Sequence, residues 1–236
     1  LEFGEQEEFF LEPLVQLETA LNQFESSNIL KESLRIILTL GNILNGGHKA
    51  KGQADGFAIE GMTKVITIKD TNNKSAMEFI CSKLNELHPE MRGFKKTLKG
   101  VYDCKRNNLP ELKSLFDGFA GKNIGAKNKC ELITNNKDDP AAATYDSVVK
   151  KKLESYDSKL QEMKKRYEMC EERWQKFGEY YGIKKDNDKM EDTSKFFQFW
   201  IQFFDALDKH WPKEKKNTKK TTSAKVKGKG MRMLPL

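Results

Sequence analysis

Apolar side chains recur every three or four residues through most of this chain, a spacing that predicts helices. The first stripe is Leu14, Leu17, Leu21 and Phe24, in a helix expected to open at Glu12-Pro13, where proline suits the first turn. Ser26-Ser27-Asn28 supplies a turn and a cap. A second helix carries Leu30, Leu34, Ile37 and Leu38 as far as Asn45-Gly46-Gly47, residue types that tolerate the left-handed conformation of a helix C-cap. A loop through Gly61 leads to Val65-Ile66-Thr67-Ile68, a stretch expected to be extended or buried. Lys74 to about His88 reads as a helix through Met77, Ile80, Leu84 and Leu87, and another is expected from about Met91 to Arg106. One more starts at Pro110 with Leu112, Leu115, Phe116 and Phe119, although Gly118, Gly121 and Gly125 weaken its continuation. Asn135 to Pro140 is a loop.

The strongest periodic signal follows. Val149, Leu153, Tyr156, Leu160, Met163, Tyr167, Cys170, Trp174, Phe177 and Tyr181 alternate spacings of four and three, a heptad seam closed by Gly182. Its aromatic bulk points to packing within a helical bundle rather than a two-stranded zipper. A last helix, Thr193 to about His210, is crowded with Phe196, Phe197, Phe199, Trp200, Phe203 and Phe204, whose area must be buried against other helices. After Pro212 the chain turns to Lys, Thr, Gly and Ser without periodicity and is expected to be disordered. The expectation is an all-α fold: an elongated helical bundle over residues 1–211 with one long heptad helix and a glycine-rich loop, then a disordered basic tail over 212–236.

Composition agrees. With 236 residues, 37% hydrophobic and 33% charged, and a mean hydropathy of −0.73, the chain suits an elongated helical protein better than a compact α/β enzyme. No apolar run is long enough to span a membrane. The first residue is Leu1, so the chain is expected to be a piece of a longer product. Cys81, Cys104, Cys130 and Cys170 lie far apart, which reads as reduced intracellular thiols serving as small buried hydrophobes. The net charge of +7 is unevenly spread. Residues 1–40 hold eight Glu against Lys31 and Arg35, residues 41–137 hold 17 basic against 10 acidic side chains, and residues 212–236 hold eight Lys and Arg232 against Glu214.

Catalytic chemistry finds little support. His48, His88 and His210 are isolated, without metal-ligand spacing. Gly47 to Gly52 imitates the glycine spacing of a phosphate loop but has Gln53 and Ala54 where Lys and Ser or Thr are required. The chain is therefore not expected to be an enzyme, and no cofactor is expected.

One patterned stretch does carry information. Gly41, Asn42, Asn45, Gly47, Gly52, Ala54, Gly56, Phe57, Lys64 and Val65 occur in an order that resembles the signature of the formin homology 2 domain: Gly-Asn-x-x-Asn-x-Gly, then Gly-x-Ala-x-Gly-Phe, then a basic cluster. Upstream, Leu11-Glu12-Pro13-Leu14 resembles the helix that feeds this signature. Downstream, Tyr180-Tyr181-Gly182 and the phenylalanines from Phe196 to Phe204, with Ala206, resemble the end of the family's long helix and its terminal helix. The similarity covers about residues 7–210 and corresponds to the C-terminal half of such domains, with the post. The lasso, linker and knob are expected to lie outside this chain, which by itself should not close a ring. Met62 and Val65 stand where leucines are usual.

The resemblance implies an actin-binding role in filament nucleation and processive barbed-end elongation, in the cytoplasm on the cytoskeleton. It implies that Gly41, Asn42, Asn45, Gly47, Gly56 and Phe57 form the post seat on which the lasso of a second formin chain docks, head to tail. It also implies actin contact by a lysine after the loop, with Lys69 the first candidate, then Lys74 and Lys64. The region after such domains helps to recruit actin monomers or binds acidic microtubule surfaces, so microtubules are a candidate partner. The alternative, which rests on charge alone, is a helical scaffold holding microtubules or another anionic polymer through its basic tail.

Overall fold

The computed structural model describes residues 3–48, 53–57, 61–136, 138, 140–183, 185–186, 189–190 and 192–213. Gly52 and the basic tail from residue 214 lie outside them.

Helix α1 (Phe3–Glu25) begins well before the proline expected to open it, and Pro13 lies in its interior. The amide that Pro13 lacks deprives the carbonyl of Phe9 of its usual partner, at a residue that is exposed to water. One position on, Phe10 is fully buried beside Leu14, Leu17 and Leu21, and this burial outweighs the proline penalty. Helix α2 (Asn28–Leu44) starts where expected, with the Ser27 hydroxyl accepting from the Leu30 amide at 3.3 Å. It ends at Asn45, and Gly47 follows with φ +87°.

Val65 to Thr67, β-branched and expected to be extended or buried, belong instead to a short helix, α3 (Gly61–Thr67). Met62 is completely buried and Val65 packs against the core one turn later, so helical spacing overrides β propensity. Helix α4 (Ala76–Leu87) is capped by Ser75, whose hydroxyl accepts from the Met77 amide at 3.1 Å.

The single helix expected from Met91 to Arg106 is instead a chain of tight turns. Three-residue-per-turn segments at Pro89–Met91, Phe94–Leu98 and Cys104–Arg106 enclose the short helix α5 (Lys99–Asp103). Gly93, at φ +79°, breaks the path, yet Phe94, Leu98, Val101 and Cys104 still all reach the core. Gly100 lies close against α1, where its amide donates to Gln23 Oε1 at 2.7 Å. A Cβ on Gly100 would stand 2.8 Å from Thr19 Cγ2 and 2.9 Å from that same oxygen. Gly100→Ala is expected to lower stability by about 1–3 kcal/mol through overpacking and loss of this hydrogen bond, measured by urea unfolding.

Helix α6 (Leu109–Asn135) passes through Gly118, Gly121 and Gly125 without interruption. Each of these glycines faces open space, so each costs only backbone entropy. The far end is held against α8 (Lys150–Tyr180): Asn123 Nδ2 donates to Asp157 at 2.6 Å, and the Lys127 ammonium pairs with the same carboxylate. Helix α7 (Ala142–Thr144) and a π-helical turn, Tyr145–Val149, join the two. Residues 185–186 and 189–190 form a two-residue antiparallel pairing, β1 with β2, before α9 (Thr193–His210), whose limits are those expected.

The heptad seam lies in α8, about 46 Å long at 1.5 Å per residue. Leu153, Leu160, Met163, Tyr167, Cys170, Trp174 and Phe177 are buried, Tyr156 is half-buried, and Gly182 closes the element at φ +66°. The partners are α1, α6 and α9 of the same bundle, so the fold is all-α. A ladder of ion pairs fixes α1 alongside α8: Lys159–Glu7 at 2.5 Å, Arg166–Glu18 at 2.9 Å and Arg173–Glu25 at 3.0 Å. Both helices therefore run in the same direction. Phe24 is the aromatic hub, its ring 5.0–5.4 Å from those of Phe177, Tyr181, Phe196 and Trp200. The four cysteines are free and buried, and burial pushes the thiols of Cys81, Cys104 and Cys170 up to about 12, leaving them neutral.

Candidate functional site: the glycine-asparagine corner and the lysine turn

The buried stripe of α2 comprises Ile29, Leu30, Ser33, Ile36 and Ile37. One heptad beyond Ile36 and Ile37 come Ile43 and Leu44, on the same face but 70% and 69% exposed. The apolar face of α2 therefore continues past the edge of the core, and no described residue covers it. Ile68, Phe79 and Leu87, each about half exposed, extend this uncovered surface across the start and end of α4. Ile68 and Leu87 belong to apolar stretches legible in the sequence, whereas Ile43, Leu44 and Phe79 were not picked out there. The signal was present in the heptad continuation to Ile43 and Leu44, but it reads like any core stripe until the neighbours are known.

Two depressions share this surface. One, of about 230 Å³, is lined by Gly41, Asn42, Ala54, Gly56, Phe57 and Lys64 among others. It gathers the expected docking residues, except Gly47, which closes the C-cap nearby. The second, of about 550 Å³, lies between Leu40, Leu44, Ile68 and Phe79 and is bordered by Lys69 and Lys74. Leu40, Leu44, Ile68 and Ala76 line both. The expected actin lysines and the expected docking corner are thus adjacent.

Asn42 has a specific task in the corner. Its Nδ2 donates to the Ala54 carbonyl at 2.9 Å, and its Oδ1 accepts from the Ala54 amide at 2.9 Å. The side chain imitates a strand neighbour and clamps the glycine loop to the end of α2, so its amide meets main chain of its own loop. Asn45 is exposed, and its backbone amide donates to the Gly41 carbonyl at 3.0 Å. Added Cβ atoms at Gly41 and Gly56 would meet nothing within 4 Å. Asn42→Ala is expected to speed hydrogen exchange of the Ala54 amide by about tenfold, the worth of one to two hydrogen bonds. Asn42→Asp is expected to have a smaller effect, because a carboxylate still accepts from the Ala54 amide and loses only the donation to the Ala54 carbonyl.

Lys64, Lys69 and Lys74 are exposed, and none has a carboxylate within ion-pair distance among the described residues. Lys69 pairs with Ser75 in an isolated antiparallel bridge, and the Ala76 amide donates to the Ile68 carbonyl at 3.0 Å. The turn between them is built on Asp70, whose Oδ1 accepts from the amides of Asn72 and Lys74, both at 2.8 Å. Asn73 occupies the left-handed region at φ 64°. Asp70 was not singled out by sequence.

Among the described residues no cluster of His, Cys, Asp and Glu is arranged to hold a metal ion, and no helix is long and apolar enough to cross a membrane. An exposed apolar face beside exposed lysines is the geometry of a surface that meets other polypeptides.

Comparison with known proteins agrees. The model of the Formin Homology 2 Domain matches residues 1–208. Formin-G of Dictyostelium discoideum is 26% identical over 209 residues, 86% of this chain and 19% of that protein. Formin-like protein 7 of Oryza sativa subsp. japonica is 32% identical over 152 residues, 61% of this chain and 11% of that protein. Human Formin-1 is 27% identical over 210 residues, 81% of this chain and 14% of that protein. The chain belongs to the formin homology 2 domain family. It spans less than a third of the length of the curated relatives it matches.

Proposed function

We propose that this chain supplies the post and an actin-contacting surface of a formin, and so contributes to filament nucleation and processive barbed-end elongation on the cytoplasmic cytoskeleton. The observation that carries the reading is the adjacency of the lysine turn, the uncovered apolar face and the glycine-asparagine corner. Lys69 and Lys74, with Lys64 beside them, meet the acidic surface of actin, where exposed cations steer association and fix orientation. A lasso segment from a second formin chain docks head to tail on the corner. Gly41 and Gly56 let its backbone approach closely there, and Asn45, Gly47 and Phe57 complete the seat around the loop clamped by Asn42.

The test is pyrene-actin assembly with the natural protein that carries these residues. Accelerated assembly and protection of barbed ends are expected; absence of both would overturn the reading. The competing scaffold reading places all binding in residues 212–236, with microtubules or another anionic polymer as partner. Deleting those residues distinguishes the two, because barbed-end binding through the body survives only if the lysine turn is the contact.

A further inference from the structure

We infer that Asp70 is a positioning residue that holds Lys69 and Lys74 together at the border of the apolar groove, an inference that rests on the actin-contact reading above. Four residues separate the two lysines, and flexible lysine side chains on an unconstrained loop would spread over many orientations. Asp70 removes the backbone part of that freedom. Besides the two amides held by its carboxylate, its own amide donates to the Lys74 carbonyl at 2.9 Å, and its carbonyl accepts from the Asn73 amide at 3.0 Å. The Lys69–Ser75 bridge and the Ser75 cap then fasten the turn to the first turn of α4. Each end of the turn thus carries one lysine, and the link from side chain to backbone inside it comes from Asp70.

A carboxylate between two cations has a plainer reading, local charge neutralisation. Yet Asp70 lies in no ion pair with Lys69 or Lys74, and its Oδ1 is occupied by backbone N–H groups. The two readings predict opposite signs. If Asp70 acted only through its charge, its removal would strengthen binding to an acidic partner. If it acts by holding the turn, loss of its acceptor oxygen weakens binding although the net charge becomes more favourable.

The experiment compares Asp70→Ala with Asp70→Asn in the natural protein, measuring affinity for actin barbed ends and the thermal unfolding midpoint. The asparagine keeps an Oδ1 acceptor for both amides and removes the charge. Asp70→Ala is expected to weaken binding by about tenfold, the loss of one to two hydrogen bonds that order the turn, with the midpoint lowered by no more than about 5 °C. Asp70→Asn is expected to restore wild-type affinity or better. Tighter or unchanged binding by the alanine variant, or failure of asparagine to restore it, would overturn the assignment. Lys69→Ala and Lys74→Ala are run alongside. If they also leave affinity unchanged, the actin-contact reading itself fails; if they weaken it while Asp70→Ala does not, only the positioning role falls.

Discussion

Phe24→Ala lowers the unfolding free energy by about 3–5 kcal/mol, the range found when a fully buried aromatic side chain is truncated. The expectation rests on where the ring lies. Phe24 is the last large apolar residue of α1, and its ring touches Phe177 and Tyr181 at the end of α8 and Phe196 and Trp200 in α9. Truncation opens a cavity where three helices converge, and rings fixed on three different backbones cannot all move in to fill it. The loss also removes edge-to-face contacts worth about 0.5–1.5 kcal/mol each beyond area. Chemical denaturation measures it; a change below about 1 kcal/mol would mean that the three helices do not share one core. Phe9→Ala, in the same helix but 67% exposed, is the matched control and should be nearly silent.

The double variant Lys69→Glu/Lys74→Glu weakens association with actin barbed ends by about a hundredfold, roughly 2.8 kcal/mol. Reversal replaces two attractive contacts with two repulsive ones on a surface where, among the described residues, neither lysine has a carboxylate within ion-pair distance. The folded state should not notice, since both side chains are exposed. Salt provides a second readout: wild-type affinity should fall as ionic strength rises, and the double variant should lose that slope. Equal affinity and equal salt dependence for both proteins would remove the lysines from the contact.

Much of this architecture is legible in the residues themselves. The aromatic crowding of α9 and the seam of α8 place both helices almost to the residue, because burying that many large side chains requires a continuous helical face. The end of α2 is written in Gly47, where a positive φ is needed and few residues supply it. Where local pattern and tertiary context disagreed, context decided. Val65 to Thr67 favour a strand by composition but form a helix because Met62 has a core to enter. Phe94, Leu98, Val101 and Cys104 have helical spacing, yet Gly93 and the closeness of Gly100 to α1 wind them into tight turns. Pro13 marks a helix start only if nothing upstream gains by burial, and Phe10 does.

The surface follows the same division. Chain order alone gives the corner residues and the lysines, since glycine, asparagine and lysine at these spacings form a pattern that needs no coordinates. That Asn42 clamps Ala54, that Asp70 builds the lysine turn, and that Ile43 and Leu44 are bare while Ile36 and Ile37 are buried were decided only in three dimensions. Periodicity states which face of a helix is apolar. Whether that face is covered depends on elements distant in sequence, whose approach is fixed by the packing of the whole bundle.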